Sequence, residues 1–144
     1  MIPLYYPNAM IYTSFDFLHV LFDAECQAAH MQWKDFAQGE DFRNGLNTGL
    51  ALVQEKGLKN WLADLRHMAA INPEDEIWSN TDWFPRAIGA GLQHMAIVPS
   101  TDIFNQISVD SIMSQVPGTA ITVHYFSTPE EARVWLKAQL GQQA

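Results

Sequence analysis

The chain has 144 residues, of which 48% are apolar and 12% aromatic. This composition suits one folded domain with a sizeable core and excludes an intrinsically disordered chain. Acidic residues number 16 against 8 basic ones, and the formal net charge is −8. Because the basic residues are scattered, neither nucleic acid nor an anionic membrane surface is an expected partner, whereas a basic protein surface would be attracted.

The cellular compartment is indicated by what the sequence lacks. Cys26 is the single cysteine, so no intrachain disulfide can form and a reducing compartment is favoured. No apolar run approaches the ~18 residues of a membrane span. The first residues, MIPLYYPNAM, lack the basic start and apolar block of a secretory signal. We therefore expect a cytoplasmic protein that does not insert into membranes.

The N-terminal part of the chain predicts strands. Residues through about Phe17 are expected to be irregular or an edge strand, because Pro3 and Pro7 interrupt them. The segments LHVLFDAE (18–25) and AAHMQWKDF (28–36) alternate apolar and polar residues. This alternation predicts a β-hairpin.

A helix is predicted next, because the apolar period changes between Gly39 and Gly57. Its apolar stripe consists of Phe42, Leu46, Leu50 and Val53. Gly45 and Gly49 lie on the same stripe, although each glycine lowers helix propensity by about 1 kcal/mol relative to alanine. Close packing of the helix on a sheet would offset this loss. The polar surroundings disfavour a helix contact within lipid.

The second half of the chain alternates buried strands with helices. The predicted strands are NWLADL (60–65), HMAIV (94–98) and AITVHYF (120–126). Helices are predicted over 73–91, over 102–116 and after Thr128, where Thr128-Pro129-Glu130-Glu131 matches a capping box. Pro85 predicts either a kink or a second helix that starts near Asp82. The element order β-β-α-β-α-β-α-β-α predicts an α/β fold with a mostly parallel sheet and right-handed crossovers.

This element order, over residues ~18 to 140, resembles the STAS or SpoIIAA-like family. That family contains bacterial anti-sigma-factor antagonists and transporter-attached domains, and CRAL-TRIO lipid-binding domains share its architecture. The resemblance implies a single SpoIIAA-like domain over residues 1–144. It also implies a non-catalytic domain that binds a partner protein or a small apolar or anionic ligand.

The sequence departs from the STAS pattern at the regulatory segment. In the antagonists, the strand that corresponds to NWLADL leads into an Asp-Ser-Ser-Gly-like segment whose serine is phosphorylated. Here that segment reads RHMAAINPEDE, without serine or threonine between Arg66 and Glu76, and the first serine is Ser79. The phosphoserine switch is therefore not expected at its usual place.

Polar residues follow each predicted parallel strand, at the edge where open α/β sheets bind ligands. Together with the helix after the first of these strands, they give the expected ligand-binding residues Asp64, Arg66, His67, Trp83, Arg86 and Ser100. Each also has a structural interpretation. Asp64 and Arg66 can pair with each other, Arg86 can pair with Asp82, Ser100 can cap a helix, and Trp83 can belong to the core.

Neither a metal nor a cofactor is predicted, and no catalytic residue is assigned. The five histidines show no His-x-x-x-His pair and no zinc spacing with Cys26, although His19 and His30 could face each other across the hairpin. Gly-x-Ser-x-Gly, Walker and Gly-x-Gly-x-x-Gly motifs are missing from the sequence. An enzyme that uses Asp64 as acid or base, with Arg66 or Arg86 as an anion clamp, is the least favoured hypothesis.

Two binding functions stay open at this point. The first is a regulatory or protein-interaction module, and the second is a carrier of a small apolar or amphipathic ligand held near Trp83 and Phe84. A closed apolar pocket of several hundred Å³ would favour the carrier, and an exposed apolar patch would favour the protein partner. If the hairpin forms a sheet edge, a homodimer can also form by pairing of two edges.

Overall fold

The computed structural model describes residues 8–141 and contains a mixed six-stranded sheet. The strands are β1 (Ala9–Phe15), β2 (Leu18–Asp23), β3 (Ala28–Asp35), β4 (Asn60–Met68), β5 (His94–Val98) and β6 (Thr122–Tyr125). They lie in the order β1-β2-β3-β4-β5-β6. The first three strands are antiparallel, and β3 to β6 are parallel. The predicted α/β class with a mostly parallel sheet and an N-terminal hairpin is therefore confirmed.

Helices connect the parallel strands and close the chain. They are α1 (Glu40–Lys56), α2 (Pro73–Trp78), a π-helical segment (Ser79–Trp83), α3 (Phe84–Gly89), α4 (Ile103–Met113) and α5 (Pro129–Leu140). Thr128 caps α5 as predicted, since its hydroxyl accepts a hydrogen bond from the Glu131 backbone N–H. The Glu131 carboxylate accepts a bond from the same hydroxyl, whereas in a capping box it would accept from the Thr128 backbone N–H. Within the described range, no helix is long and apolar enough to cross a membrane.

Several boundaries differ from the prediction. The N-terminal segment forms an edge strand over Ala9–Phe15, and Pro3 and Pro7 lie outside the described residues. Strand β4 continues three residues past the predicted Leu65, and α4 ends at Met113 rather than at 116. The chain passes Pro85 by inserting the π-helical segment before it. Pro85 has no N–H to donate to the preceding turn, and the wider π-helical turn that comes just before it accommodates the proline within the continuous helix.

The consecutive strand order decides where the helices lie. Right-handed crossovers that all step in one direction place their helices on the same face of the sheet. The main core cluster accordingly joins one sheet face to α1, the π-helical segment, α3 and α4. A smaller cluster on the opposite face contains Ala132 and Leu136 of α5, packed against Leu62, Ala96 and Val98.

Helix α1 packs closely on the sheet through the two glycines of its apolar stripe. A Cβ atom added at Gly45 would lie 2.6 Å from the Trp33 ring and 2.8 Å from Leu18. One added at Gly49 would meet the Trp61 ring and would lie 2.8 Å from Met31. The expectation that close packing explains these glycines is confirmed, because real Cβ atoms do not approach other heavy atoms so closely.

We predict that Gly49→Ala lowers the free energy of unfolding by ~1–3 kcal/mol, although alanine is the better helix former. The added methyl group must displace the Trp61 ring. Gly89→Ala is the matched control, because a Cβ there meets no described atom within 4 Å. It should leave stability unchanged or raise it by up to ~1 kcal/mol. Urea denaturation measures both, and a Gly49→Ala protein as stable as the wild type would contradict the packing argument.

Candidate functional site

Asp64 and Arg66 form a structural pair. Asp64 alternates with Ala63 and Leu65, so its side chain lies on the α5 face of the sheet, where it is only 4% exposed. The Arg66 guanidinium donates two hydrogen bonds of 2.9 Å, one to each carboxylate oxygen of Asp64. The backbone N–H of Arg66 adds a third bond, of 3.3 Å. Both carboxylate oxygens of Asp64 are therefore already hydrogen-bonded to Arg66, two residues along the chain.

The other predicted site residues do not join this pair. The Trp83 indole N–H donates to the Leu46 carbonyl (3.0 Å), and its ring packs edge-on against Trp61 within the core. Ser100 is buried and donates to the carbonyl of Met68 (2.7 Å).

Arg86 and His67 are exposed. The Arg86 guanidinium donates to Asp82 (2.7 Å) and to Asn47 (2.8 Å), which lies on α1. It therefore lies on the opposite face of the sheet from Asp64 and Arg66. The six predicted residues are divided between the two faces and do not form one site.

A buried ion pair between Asp23 and Arg133 lies on the α5 face of the sheet, near His30. Asp23 is fully buried, and Arg133 of α5 donates to both of its carboxylate oxygens, the shorter contact being 2.6 Å. Burial lowers the pKa of His30 to about 4, and this effect outweighs the opposing attraction of the Asp64 and Asp23 carboxylates. His30 is therefore a neutral core residue at pH 7.

The suggestion that His19 and His30 face each other is wrong. His19 pairs with Gln32 and His30 pairs with Leu21 across the hairpin, because the register is offset by two residues. Among the described residues, no cluster of three or more histidine, cysteine, aspartate or glutamate side chains is placed to hold a metal ion. Burial, followed by the nearby Asp23 carboxylate, raises the pKa of the Cys26 thiol, which disfavours the reactive thiolate.

A small apolar cavity lies in the main core. Its volume is about 60 Å³, and its walls include Trp33, Phe42, Trp61 and Trp83. Ser79 is the one polar side chain in the lining, and its hydroxyl is already bonded to the Asp75 carbonyl (2.9 Å). A cavity needs about 150 Å³ to hold benzene. This space is therefore too small for a metabolite or lipid.

The side of α4 that faces the protein carries two buried polar residues, Asn105 and Ser108, beside the core residues Val109 and Ile112. Asn105 is fully buried and its amide donates to the Ala69 carbonyl (2.8 Å). Ser108 accepts from the Ile71 backbone N–H (3.2 Å) and donates to the Ile71 carbonyl (3.1 Å). These bonds satisfy the backbone of the loop between β4 and α2, which would otherwise be buried without partners. They also fix the rotation of α4 about its axis.

The fixed rotation turns large apolar residues of α4 outward. Ile103, Phe104 and Ile107 are 58%, 66% and 59% exposed. Ile107 follows Phe104 by three residues and Ile103 by four, so the three side chains share one face of the helix, which we call the α4 surface. Helix α2 packs beside α4 and carries Ile77, which is 63% exposed. Apolar residues clustered in this way, rather than scattered singly, are typical of a docking site.

The chain around the α4 surface is acidic. Arg86 is the single lysine or arginine between positions 67 and 132, whereas eight acidic residues lie there, of which Glu130 and Glu131 belong to α5 on the opposite face of the sheet. Two of the eight are neutralised by arginines, since Asp75 pairs with Arg43 and Asp82 pairs with Arg86. The negative potential of this region would favour a partner surface that carries basic residues.

Comparison of the chain with models of protein families, with curated proteins and with solved structures found no match. The resemblance to STAS domains therefore stays a prediction from the order of strands and helices.

Sequence reasoning assigned no functional residue to α4. The sequence of this helix, IFNQISVDSIM, nevertheless indicates an exposed apolar surface. Its apolar residues are spread around the helix axis instead of forming one stripe. Such a helix must expose some of them. Which side faces outward depends on the loop carbonyls of Ala69 and Ile71, which the helix pattern does not reveal.

We predict that Asp64→Asn lowers the free energy of unfolding by ~1–3 kcal/mol, because the carboxylate accepts two charge-assisted bonds where it is buried. Asp82→Asn is the control. It breaks an equally short ion pair whose side chains are 43% and 50% exposed, so the change should stay within ~0.5 kcal/mol. Chemical denaturation at pH 7 measures both. Equal effects of the two substitutions would contradict the structural assignment of Asp64.

We also predict that the free energy of unfolding decreases as the pH is lowered, because of His30. Its pKa of about 4 in the folded protein lies below the 6.5 of the unfolded chain, so only the unfolded chain takes up the proton between these values. The contribution of His30 to the free energy of unfolding is fully present above pH 6.5. It is lost as the pH falls towards 4, by about 3 kcal/mol in total. Denaturation curves of wild type and His30→Leu should therefore differ in pH dependence within this window. Parallel curves would show the prediction to be wrong.

Proposed function

We propose that this protein is a non-catalytic interaction module of the regulatory kind that STAS domains represent, and that it binds a protein partner through the α4 surface. The observation that carries the proposal is the exposure of Ile103, Phe104 and Ile107, each by more than half, on one helix face. Burying one such side chain stabilises a protein or a complex by about 1.5–3 kcal/mol. A complementary partner surface would gain this energy, which the isolated fold does not use.

The hydrogen bonding of the buried aspartates supports a binding function over a catalytic one. Asp64, Asp23 and Asp75 are each buried and each accept hydrogen bonds from an arginine. Groups held in this way stabilise the fold and are not poised to exchange protons with a substrate. The module would act without the phosphoserine switch, since RHMAAINPEDE carries no serine or threonine.

The alternative of a small-ligand carrier has weaker support. Trp83 and Phe84 do line the apolar cavity, as that hypothesis requires. The volume of about 60 Å³ is nevertheless far below the several hundred Å³ of a ligand pocket. A carrier would have to move α3 or α4 away from the sheet.

The partner that fits the α4 surface presents an apolar patch flanked by lysine or arginine residues. The acidic character of residues 67–132 would then speed association and reject acidic surfaces. A second copy of this chain does not meet that description at the α4 surface. Self-association would instead use the edge strand β1, whose Met10 and Ile11 are exposed at 67% and 45%. A homodimer thus remains a separate proposal.

The test compares a double variant of the α4 surface with a control variant in which an exposed apolar residue elsewhere is also replaced by serine. Phe104→Ser with Ile107→Ser removes two apolar side chains from the α4 surface. Val134→Ser is the control, since Val134 is 71% exposed on α5, at the opposite face of the sheet. Both proteins should keep their stability within about 0.5 kcal/mol, because exposed positions are changed. Each is immobilised, and proteins retained from an extract of the source cells are quantified by mass spectrometry.

We expect a partner that wild type and Val134→Ser retain and that the double variant loses. Its binding should weaken as salt rises from 50 to ~500 mM, because charge complementarity is screened. Hydrogen exchange of the complex should then show new protection in α4. Equal retention by all three proteins, or protection confined to β1 or α5, would overturn the proposed surface.

A further inference from the structure

The sheet ends in a strand whose outer edge is unpaired. Among the described strands, β1 pairs with β2 on one side and with no strand on the other. Its segment AMIYTSF (9–15) contains neither a charged residue nor a proline, the residues that commonly protect such edges. The strand at the opposite edge, β6, has only four residues. The edge of β1 is therefore the one suited to pair with a further strand.

The backbone groups of Ile11 and Ser14 lie on this outer edge. Residues of an antiparallel strand alternately bond to the neighbouring strand and face away from it. The Asn8 carbonyl accepts a hydrogen bond from the Ala24 N–H (2.9 Å), so Ile11, three residues further on, faces away from β2. Phe15 begins the two-residue turn into β2, and the carbonyl at that position faces the neighbouring strand. Ser14, one residue earlier, therefore also faces away.

A β-bulge arranges the side chains of β1 symmetrically about its centre. The register with β2 shifts between Ile11 and Thr13, so Tyr12 is the extra residue and lies on the same face as Thr13. The side chains on the α1 face are those of Met10, Tyr12, Thr13 and Phe15, and those on the α5 face are Ala9, Ile11 and Ser14. Read inward from Met10 or inward from Phe15, the faces therefore follow the same order, α1, α5, α1.

From this pattern we propose that β1 pairs antiparallel with β1 of a second copy of this chain, which joins the two sheets into one. Only one register places every paired side chain opposite one that lies on the same face, because any other register mixes the faces at the bulge. In it, Ile11 lies opposite Ser14 of the second copy, and their outward backbone groups exchange hydrogen bonds. Met10, which is 67% exposed in the single chain, lies opposite the Phe15 ring, a favourable sulfur–aromatic contact.

The exposed apolar residues of β1 favour a strand over any other partner. Met10 lies on one face of the sheet, and Ile11, which is 45% exposed, lies on the other. A helix or a flat protein surface would cover only one of these faces, whereas a second sheet edge continues both. A strand that alternates without a break would place its side chains on the wrong faces beyond the bulge. A second copy of β1 has the matching break.

Salt dependence separates this self-association from binding at the α4 surface. Each copy has a net charge of −8, and none of the charged residues lies in β1. The repulsion between two copies therefore acts over a distance and is screened by salt, so dimerisation strengthens as salt rises. Binding of a basic partner weakens instead. Helix α4 leads into β6, at the edge of the sheet opposite β1, so either interaction can fail without the other.

Sedimentation equilibrium of the whole chain tests the dimer. Molar mass is measured between ~10 µM and ~1 mM protein, because association depends on concentration. We expect the mass to rise from 16.3 kDa towards twice that value. The association constant should increase between ~50 and ~500 mM sodium chloride.

Paired charge substitutions test the register. Ile11→Lys with Ser14→Lys (the lysine variant) and Ile11→Glu with Ser14→Glu (the glutamate variant) each place like charges directly opposite across the two strands. Each variant alone should dimerise about tenfold or more weakly than the wild type. An equimolar mixture should form a heterodimer, because lysine then lies opposite glutamate at both positions. Restored association also shows that both variants are folded.

The matched control is Ile107→Lys with Ser111→Lys. It makes the same two chemical changes at exposed positions of α4, and it should dimerise at least as well as the wild type. Four results would refute the pairing. They are a wild-type chain that stays at 16.3 kDa, a lysine variant that dimerises like the wild type, a mixture that associates no better than its components, and a control that dimerises as poorly as the lysine variant.

Discussion

The attachment of α4 to the loop after β4 is the interaction on which the functional features depend. Asn105 and Ser108 bond to the backbone of Ala69 and Ile71, and these bonds require the side of the helix that carries both residues to face inward. Val109 and Ile112 lie on the same inward side and join the main core, whereas Ile103, Phe104 and Ile107 lie outside. One set of hydrogen bonds thus fixes the rotation at which Ile103, Phe104 and Ile107 are exposed. The inner side of α4 thus combines these polar contacts with the apolar packing of Val109 and Ile112 in the main core.

Strand order explains why the expected site at the strand ends did not form. Open α/β sheets make a ligand crevice where the strand order reverses and neighbouring crossovers diverge to opposite faces. The described strands run from β1 to β6 without reversal, so α1, α3 and α4 lie side by side on one face. The polar residues in the carboxyl-terminal half of β4 therefore have no crevice beside them. Asp64 and Arg66 satisfy each other, and the concave space that remains lies under α4 near the last two strands.

Much of the fold follows from local rules that act within a few residues. Alternation of apolar residues predicted the hairpin of β2 and β3, whose register it also controls, since a slip by one residue would turn every side chain to the other face. Helix α1 and its two glycines, strand β5 at 94–98 and the helix cap at Thr128 were predicted from the same kind of pattern. Strands that alternate with helices gave the α/β class. The structural alternatives for Asp64, Arg86, Ser100 and Trp83 were likewise available from spacing or residue type.

What only the tertiary structure decided is which residues meet across long stretches of chain. The sequence determined the elements, because propensity, caps and period are local. It did not determine the strand order, the rotation of α4, or the face of the sheet on which each polar residue lies. Asn105 lies 36 positions from Ala69 and Ser108 lies 37 from Ile71, so their bonds form only once the sheet brings α4 beside that loop. The outward apolar surface is a consequence of those distant contacts, and no local pattern records it.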